Sequence, residues 1–103
     1  MNRGEIRWYK FPHPDKKRPV LVLTRDSVLA YLGEVTVAPV TSTIRDIPSE
    51  VVVSVQDGMP RECAINCDRL QTVSKAKIGA LITTLSPAKL AAVARAIRFA
   101  IDL

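Results

Sequence analysis

Nowhere in its 103 residues does the chain hold an apolar run of the 18 or so residues that a membrane-spanning helix requires. Its first residues, Met1-Asn2-Arg3-Gly4-Glu5-Ile6-Arg7-Trp8, place a charged or polar group at nearly every second position, so the apolar core of a secretory signal is missing as well. A soluble, cytoplasmic protein without a membrane partner is expected. Cysteine is scarce. Cys63 and Cys67 are the two thiols, and if their segment is a strand it spans about 13 Å, too far for a disulfide. Free thiols are therefore expected. The single histidine, His13, lies far from both in sequence, so the ligands of a zinc site are not at hand, and neither metal nor cofactor is expected. A glycine-rich phosphate loop, a GxSxG elbow and an HExxH helix are all absent. Repeats, low-complexity stretches and linkers are absent too, which leaves one domain over residues 1–103, long enough to bury a core without disulfides.

Acidic residues are also in deficit. Fifteen lysines and arginines face ten aspartates and glutamates, a net charge of +5. Residues 1–25 carry seven basic residues (Arg3, Arg7, Lys10, Lys16, Lys17, Arg18 and Arg25) against Glu5 and Asp15. Residues 26–103 carry eight of each sign, so the whole excess lies in the first quarter of the chain. A localised basic surface is the usual footprint of a polyanion, nucleic acid first, although it equally suits a solvated face.

What is present is a succession of short β-patterned runs. Residues 5–11 alternate polar and apolar side chains and read as a half-buried strand, which the loop Pro12-His13-Pro14-Asp15-Lys16-Lys17 ends. Residues 19–24 form a continuous apolar run, the pattern of a strand buried on both faces. Asp26-Ser27 is read as the cap of a helical turn through Tyr31, ended by Gly33. Residues 34–40 alternate again, with Pro39 implying an edge or bulge, and 41–48 read as a polar loop. Residues 50–55, 62–66 and 78–84 read as strands, and 68–77 as mixed. Ser86 and Pro87 suit the cap and first position of a helix whose Leu90, Val93, Ala94, Ile97, Ala100 and Ile101 recur at helical spacing. Five or six strands and a closing helix point to an α+β, mainly β fold, a small curved antiparallel sheet or barrel.

Polar residues gather at the strand ends: Arg18 before 19–24, Thr41 and Ser42 after 34–40, and Asp68, Arg69 and Gln71 after 62–66. Taken singly, each also suits a rim, a turn or a cap. Their order changes the reading. Arg3-Gly4-Glu5-Ile6-Arg7-Trp8, then Arg18-Pro19-Val20-Leu21-Val22, then Pro39-Val40-Thr41-Ser42, then Cys67-Asp68-Arg69-Leu70-Gln71, with Ser86-Pro87 opening the last helix, resemble the MazF/PemK toxins of bacterial toxin–antitoxin pairs. The resemblance covers essentially the whole chain.

That resemblance implies an SH3-like barrel of the CcdB/MazF/PemK type, a homodimer, and metal-independent, sequence-specific cleavage of single-stranded RNA under the control of an acidic, disordered antitoxin segment. The family's catalytic arginine matches Arg18 and its catalytic threonine Thr41. The acid of some PemK-type members falls on Asp68, but the arginine they carry two residues earlier is Asn66 here, so that acid–base set does not carry over whole. His13, Lys16, Lys17, Ser42, Asp68 and Gln71 are the remaining candidates for holding RNA, with base reading expected in loops 12–17 and 41–48. Two other readings share the fold: a CcdB-like gyrase poison, whose relatives end in Trp-Gly-Ile where this chain reads Ile101-Asp102-Leu103, and a non-catalytic barrel that binds nucleic acid.

Overall fold

In the computed structural model, which describes residues 1–12 and 16–103, seven strands and two helices follow one another. They are β1 (Glu5–Lys10), β2 (Lys17–Val22), α1 (Asp26–Leu29), β3 (Glu34–Thr41), β4 (Glu50–Val53), β5 (Cys63–Asn66), β6 (Gln71–Ser74), β7 (Ile78–Thr84) and α2 (Pro87–Ile101). Every strand pairing is antiparallel, in the order β4-β5-β3-β2-β1-β7, with β6 added to β3. This is the expected mainly-β class with a C-terminal helix.

The apolar run of β2 is buried on both faces because the sheet has a core on each side. Val20 and Val22 join Tyr9, Leu29, Val35, Val37 and Val73 in one cluster. Leu21 and Leu23 point the other way, into a larger cluster with Ile6, Ala38, Val40, Ile65 and Val93 of α2. Successive side chains of a strand leave opposite faces, so one short strand serves both cores.

β3 is the spine. On one flank Val20, Leu21 and Val22 of β2 face Pro39, Ala38 and Val37. On the other, β6 pairs with Glu34 to Val37, and β5 takes over at Val40 and Thr41. Pro39, which has no N–H to give, falls in the interval between these two partners. It is therefore neither at an edge nor at a bulge: a central strand tolerates it where the partner changes.

The remaining differences from the sequence reading have local causes. Seven strands replace five or six because β6 lies in the segment read as mixed, where Val73 is the one buried side chain. Asp26 and Ser27 do not cap α1. Arg25 occupies the cap position without a side-chain bond, the helix ends at Leu29, and Asp26 Oδ1 instead accepts the Arg3 N–H at 2.7 Å. The strand read over residues 50–55 stops at Val53, since Ser54 caps a 3₁₀ turn over Val55–Asp57. In α2, Ser86 accepts the Lys89 N–H at 3.2 Å, as its cap role requires. The helix buries Val93 and Ala96, with Ile97 and Ala100 packed beside them, while Ile101 at its last turn is exposed. No helix among the described residues is long and apolar enough to cross a membrane.

Both cysteines are free and buried. Burial raises both thiols, and Cys67, next to the charge of Asp68, is pushed up to about 11, so neither is a thiolate at neutral pH. Burial of Glu5, the largest single influence, opposes its charge, but the Arg7 Nε–H bond to its Oε1 at 2.7 Å, a backbone bond from Asn2 and the positive charges of Arg7 and the N-terminus together outweigh it and hold its pKa below the ordinary 4.5. A carboxyl lowered in the fold stabilises it above the unfolded pKa, and that contribution fades as pH falls through the folded one. Glu5→Gln should therefore flatten the acid limb of stability against pH below about 4.5, measured by urea unfolding at a series of pH values. Gly58 closes the Val55–Asp57 turn at φ +93, and a Cβ there would run into Thr83, whose hydroxyl donates to Asp57 O at 2.8 Å. Gly58→Ala should cost at least about 2 kcal/mol, read as a lower denaturant midpoint at unchanged slope.

Candidate functional site

The β2–β3 ladder ends at Val20 and Pro39, and extending its register by two residues sets Arg18 opposite Thr41. Arg18 still has a partner on its other side, Tyr9 of β1, so its backbone is held while its side chain is exposed. Thr41 is fixed by pairing with Ala64 of β5. Its Oγ1 accepts the Thr43 N–H at 3.1 Å, which leaves the hydroxyl proton free to donate elsewhere. Arg18 and Thr41 both line a cavity of about 540 Å³, within the usual range of small-molecule sites.

The other walls come from elements that meet at the β3 partner change. Asn66 is the last residue of β5, and Gln71, the first of β6, sits opposite Val37. Arg69 belongs to the 3₁₀ turn Cys67–Arg69 that joins the two strands. Asn66 is only 3 % exposed, and its side-chain oxygen accepts the Asp68 N–H at 3.0 Å. The fourth contributor is Arg45, from the loop between β3 and β4. Glu50, whose side chain is 1 % exposed, holds this loop: Oε1 accepts the Arg45 N–H at 2.9 Å and Oε2 lies 3.7 Å from the Arg45 guanidinium. Asp46, at φ 58, provides the left-handed turn next to it, a conformation that aspartate tolerates better than most residues. The loop is also tied to the β5–β6 connection, since Cys67 N–H donates to Ser49 O at 3.0 Å and Ser49 Oγ donates to Asp68.

Of the residues singled out in the sequence, Arg18, Thr41 and Gln71 thus share one cavity. Lys16, Lys17 and Ser42 line an adjoining one of about 510 Å³, together with Trp8 and Arg61, and Arg18 and Val40 belong to the walls of both. Lys17 Nζ rests 5.4 Å from the Trp8 ring centre, a cation–π contact. Asp68 lines neither cavity, and its carboxylate is engaged by Ser49. His13 lies outside the described residues. A larger cavity of about 960 Å³, between the α1 region and Ile97 of α2, holds none of the candidates. Sequence reasoning did not select Arg45 or Asn66 as site residues and left Arg69 without a role. Both arginines come from the part of the chain whose charges cancel overall, where a charge count gives no signal.

Three guanidiniums therefore converge on a cavity that no carboxylate of the described residues lines, beside a hydroxyl and two amides. Arginine forks match phosphate oxygens. On a mainly-β fold, this makes a cationic, hydrogen-bonding cavity of the chemical type that suits an anion. The family follows from comparison: the chain belongs to the PemK-like, MazF-like toxins of type II toxin–antitoxin systems, whose family model matches residues 2–101. It is 42 % identical over 89 residues to endoribonuclease MazF3 of Mycobacterium tuberculosis, covering 86 % of each chain. Its fold superposes on the solved M. tuberculosis toxin MazF-mt6 with a TM-score of 0.88 at 38 % identity, over 96 % of this chain and 97 % of that one. A mycobacterial endoribonuclease solved in complex with its cognate antitoxin shares the fold at a TM-score of 0.89 and 21 % identity, over 100 % of this chain and 96 % of that one.

The Glu50 clamp can be tested by itself. Glu50→Ala removes the acceptor of the Arg45 N–H, and native-state hydrogen exchange of that amide should speed up about tenfold, whereas Glu50→Gln, which keeps an acceptor oxygen, should change it little.

Proposed function

We infer that the chain is the toxin of a type II toxin–antitoxin pair, an endoribonuclease that cuts single-stranded RNA in the cytoplasm and so arrests growth. The observation that carries this reading is that Arg18 and Thr41, each just beyond the last β2–β3 pair, share the wall of one cavity with Arg45 and Arg69. The endoribonuclease name of the M. tuberculosis relative supports it.

The chemistry follows from the groups present. The 2′-oxygen of the RNA attacks the adjacent phosphorus, the bond from phosphorus to the 5′-oxygen breaks, and a 2′,3′-cyclic phosphate and a 5′-hydroxyl result. One proton leaves the 2′-hydroxyl and one reaches the departing 5′-oxygen, so atoms balance without an added water. Negative charge grows on the non-bridging oxygens of the crowded phosphorus. Arg18 meets it with a fixed fork of donors, and Thr41 adds its hydroxyl proton. Arginine holds its own proton at neutral pH, so its part is charge stabilisation rather than proton abstraction. An imidazole is of the chemical type that can accept the 2′-hydroxyl proton, and His13 is the one this sequence carries. Lys16 and Lys17, in the adjoining cavity, extend the cationic track along which the backbone would lie, and a single strand suits it because its bases can be splayed out.

Two copies of the chain would lengthen that track, and a homodimer is the proposed active unit. The antitoxin complex of the mycobacterial neighbour supports a cognate antitoxin here as well. An acidic, otherwise disordered segment of such a partner would be drawn to the same arginines and lysines as RNA.

A long single-stranded RNA incubated with the protein in EDTA should be cut into fragments bearing a 2′,3′-cyclic phosphate or 3′-phosphate and a 5′-hydroxyl, identified by mass spectrometry. Arg18→Ala should lower the rate at least about 100-fold, and Thr41→Val about tenfold or more, with thermal stability nearly unchanged because both residues sit at strand ends. Fragments with 5′-phosphates, or an active and folded Arg18→Ala protein, would count against the mechanism.

A further inference from the structure

Asn66 is the most buried polar side chain of the arginine-lined cavity. Arg18, Arg45 and Arg69 are all exposed at its margin, whereas Asn66 is 3 % exposed. Phosphates, which keep contact with water, suit the margin, and a base splayed inward suits the depth. The amide is also oriented. Its oxygen accepts the Asp68 N–H at 3.0 Å, and among the described residues its Nδ2 has no hydrogen-bond acceptor, so this donor pair is available to the cavity that Asn66 lines. Capping the Cys67–Arg69 turn accounts for the oxygen alone, since aspartate or serine would cap it equally well. The amino end needs another reason.

We propose that Asn66 is a specificity-determining residue that donates from Nδ2 to the exocyclic keto oxygen of one RNA base, favouring guanine or uracil over adenine or cytosine at one position beside the cut. Guanine O6 and uracil O4 accept a hydrogen bond where adenine N6 and cytosine N4 carry hydrogens of their own. An amide donor facing an amino group leaves both unpaired, a loss that ordinarily reaches tenfold or more. This inference rests on the RNA-cleaving reading above.

The test is digestion of a random-sequence single-stranded RNA pool, with sequencing of the ends formed. The wild type should show guanine and uracil enriched about tenfold over adenine and cytosine at one position. Asn66→Asp keeps an oxygen for the Asp68 N–H and presents a second one to the base, so the preference at that position alone should turn toward adenine and cytosine. Asn66→Ser keeps a capping oxygen and withdraws the donor, so the preference there should disappear while cutting continues. It decides the matter if the added charge of Asn66→Asp beside Arg18 stops cleavage. An unchanged base profile in Asn66→Ser, or a wild type with no keto preference at any position, overturns the assignment. So does loss of all cutting in both variants while they remain folded, since Asn66 would then serve binding in general. A wild type that cuts none of the pool instead refutes the endoribonuclease reading on which the proposal stands.

Discussion

A strand has two flanks, and β3 must serve three neighbours. β2 occupies one flank, and β6 and β5 divide the other between Val37 and Val40. The division is possible because Pro39 has no N–H to leave unpaired in the interval. Where β5 and β6 separate, their connection must turn, and the residues of that turn are delivered to one place beside the end of β2. The cavity is thus the space opened by a change of strand partner. Its walls are strand ends and one clamped loop, which hold side chains more firmly than free loops would.

The clamp explains how the β3–β4 loop reaches this standard. Glu50 lies at the start of β4, and its buried carboxylate holds both the backbone and the side chain of Arg45. A buried charge is costly unless it is paired. Setting it beside an arginine that also faces the cavity fixes the direction of that arginine. Ser49 and Asp68 tie the same loop to the β5–β6 connection, so Asp68, a sequence candidate for holding RNA, has a visible mechanical task in the fold.

The sequence reading went furthest where physics is local. The apolar run of β2, the Ser86 cap of α2 and the alternation of β1 all report their own burial, and a strand or helix stands at each, although β2 runs Lys17–Val22 rather than 19–24 and β1 stops at Lys10. Arg18 and Thr41 were singled out for a different reason: they stand in family-like blocks of fixed order, and both line the same cavity. The rest was hidden by non-local effects. β6 has one buried side chain and depends for its existence on the free flank of β3. Pro39 could be placed only once its three neighbours were known. Arg45 and Arg69 sit among acidic residues in sequence, so a charge count cancels them, yet none of those carboxylates lines the cavity; the charge excess of the first 25 residues therefore described one side of the site and missed the other.

The division of labour along β3 has a consequence for how such a protein can diversify. The Arg18–Thr41 pair is held by the β1–β2 and β3–β5 ladders, whereas Arg69 and Gln71 hang on the short turn and strand that follow β5. Side chains on that turn can change without altering the register that sets arginine against threonine. Chains of this fold can therefore vary one wall of the cavity, at the β5–β6 connection, while the strand ladders that hold the opposite wall stay as they are.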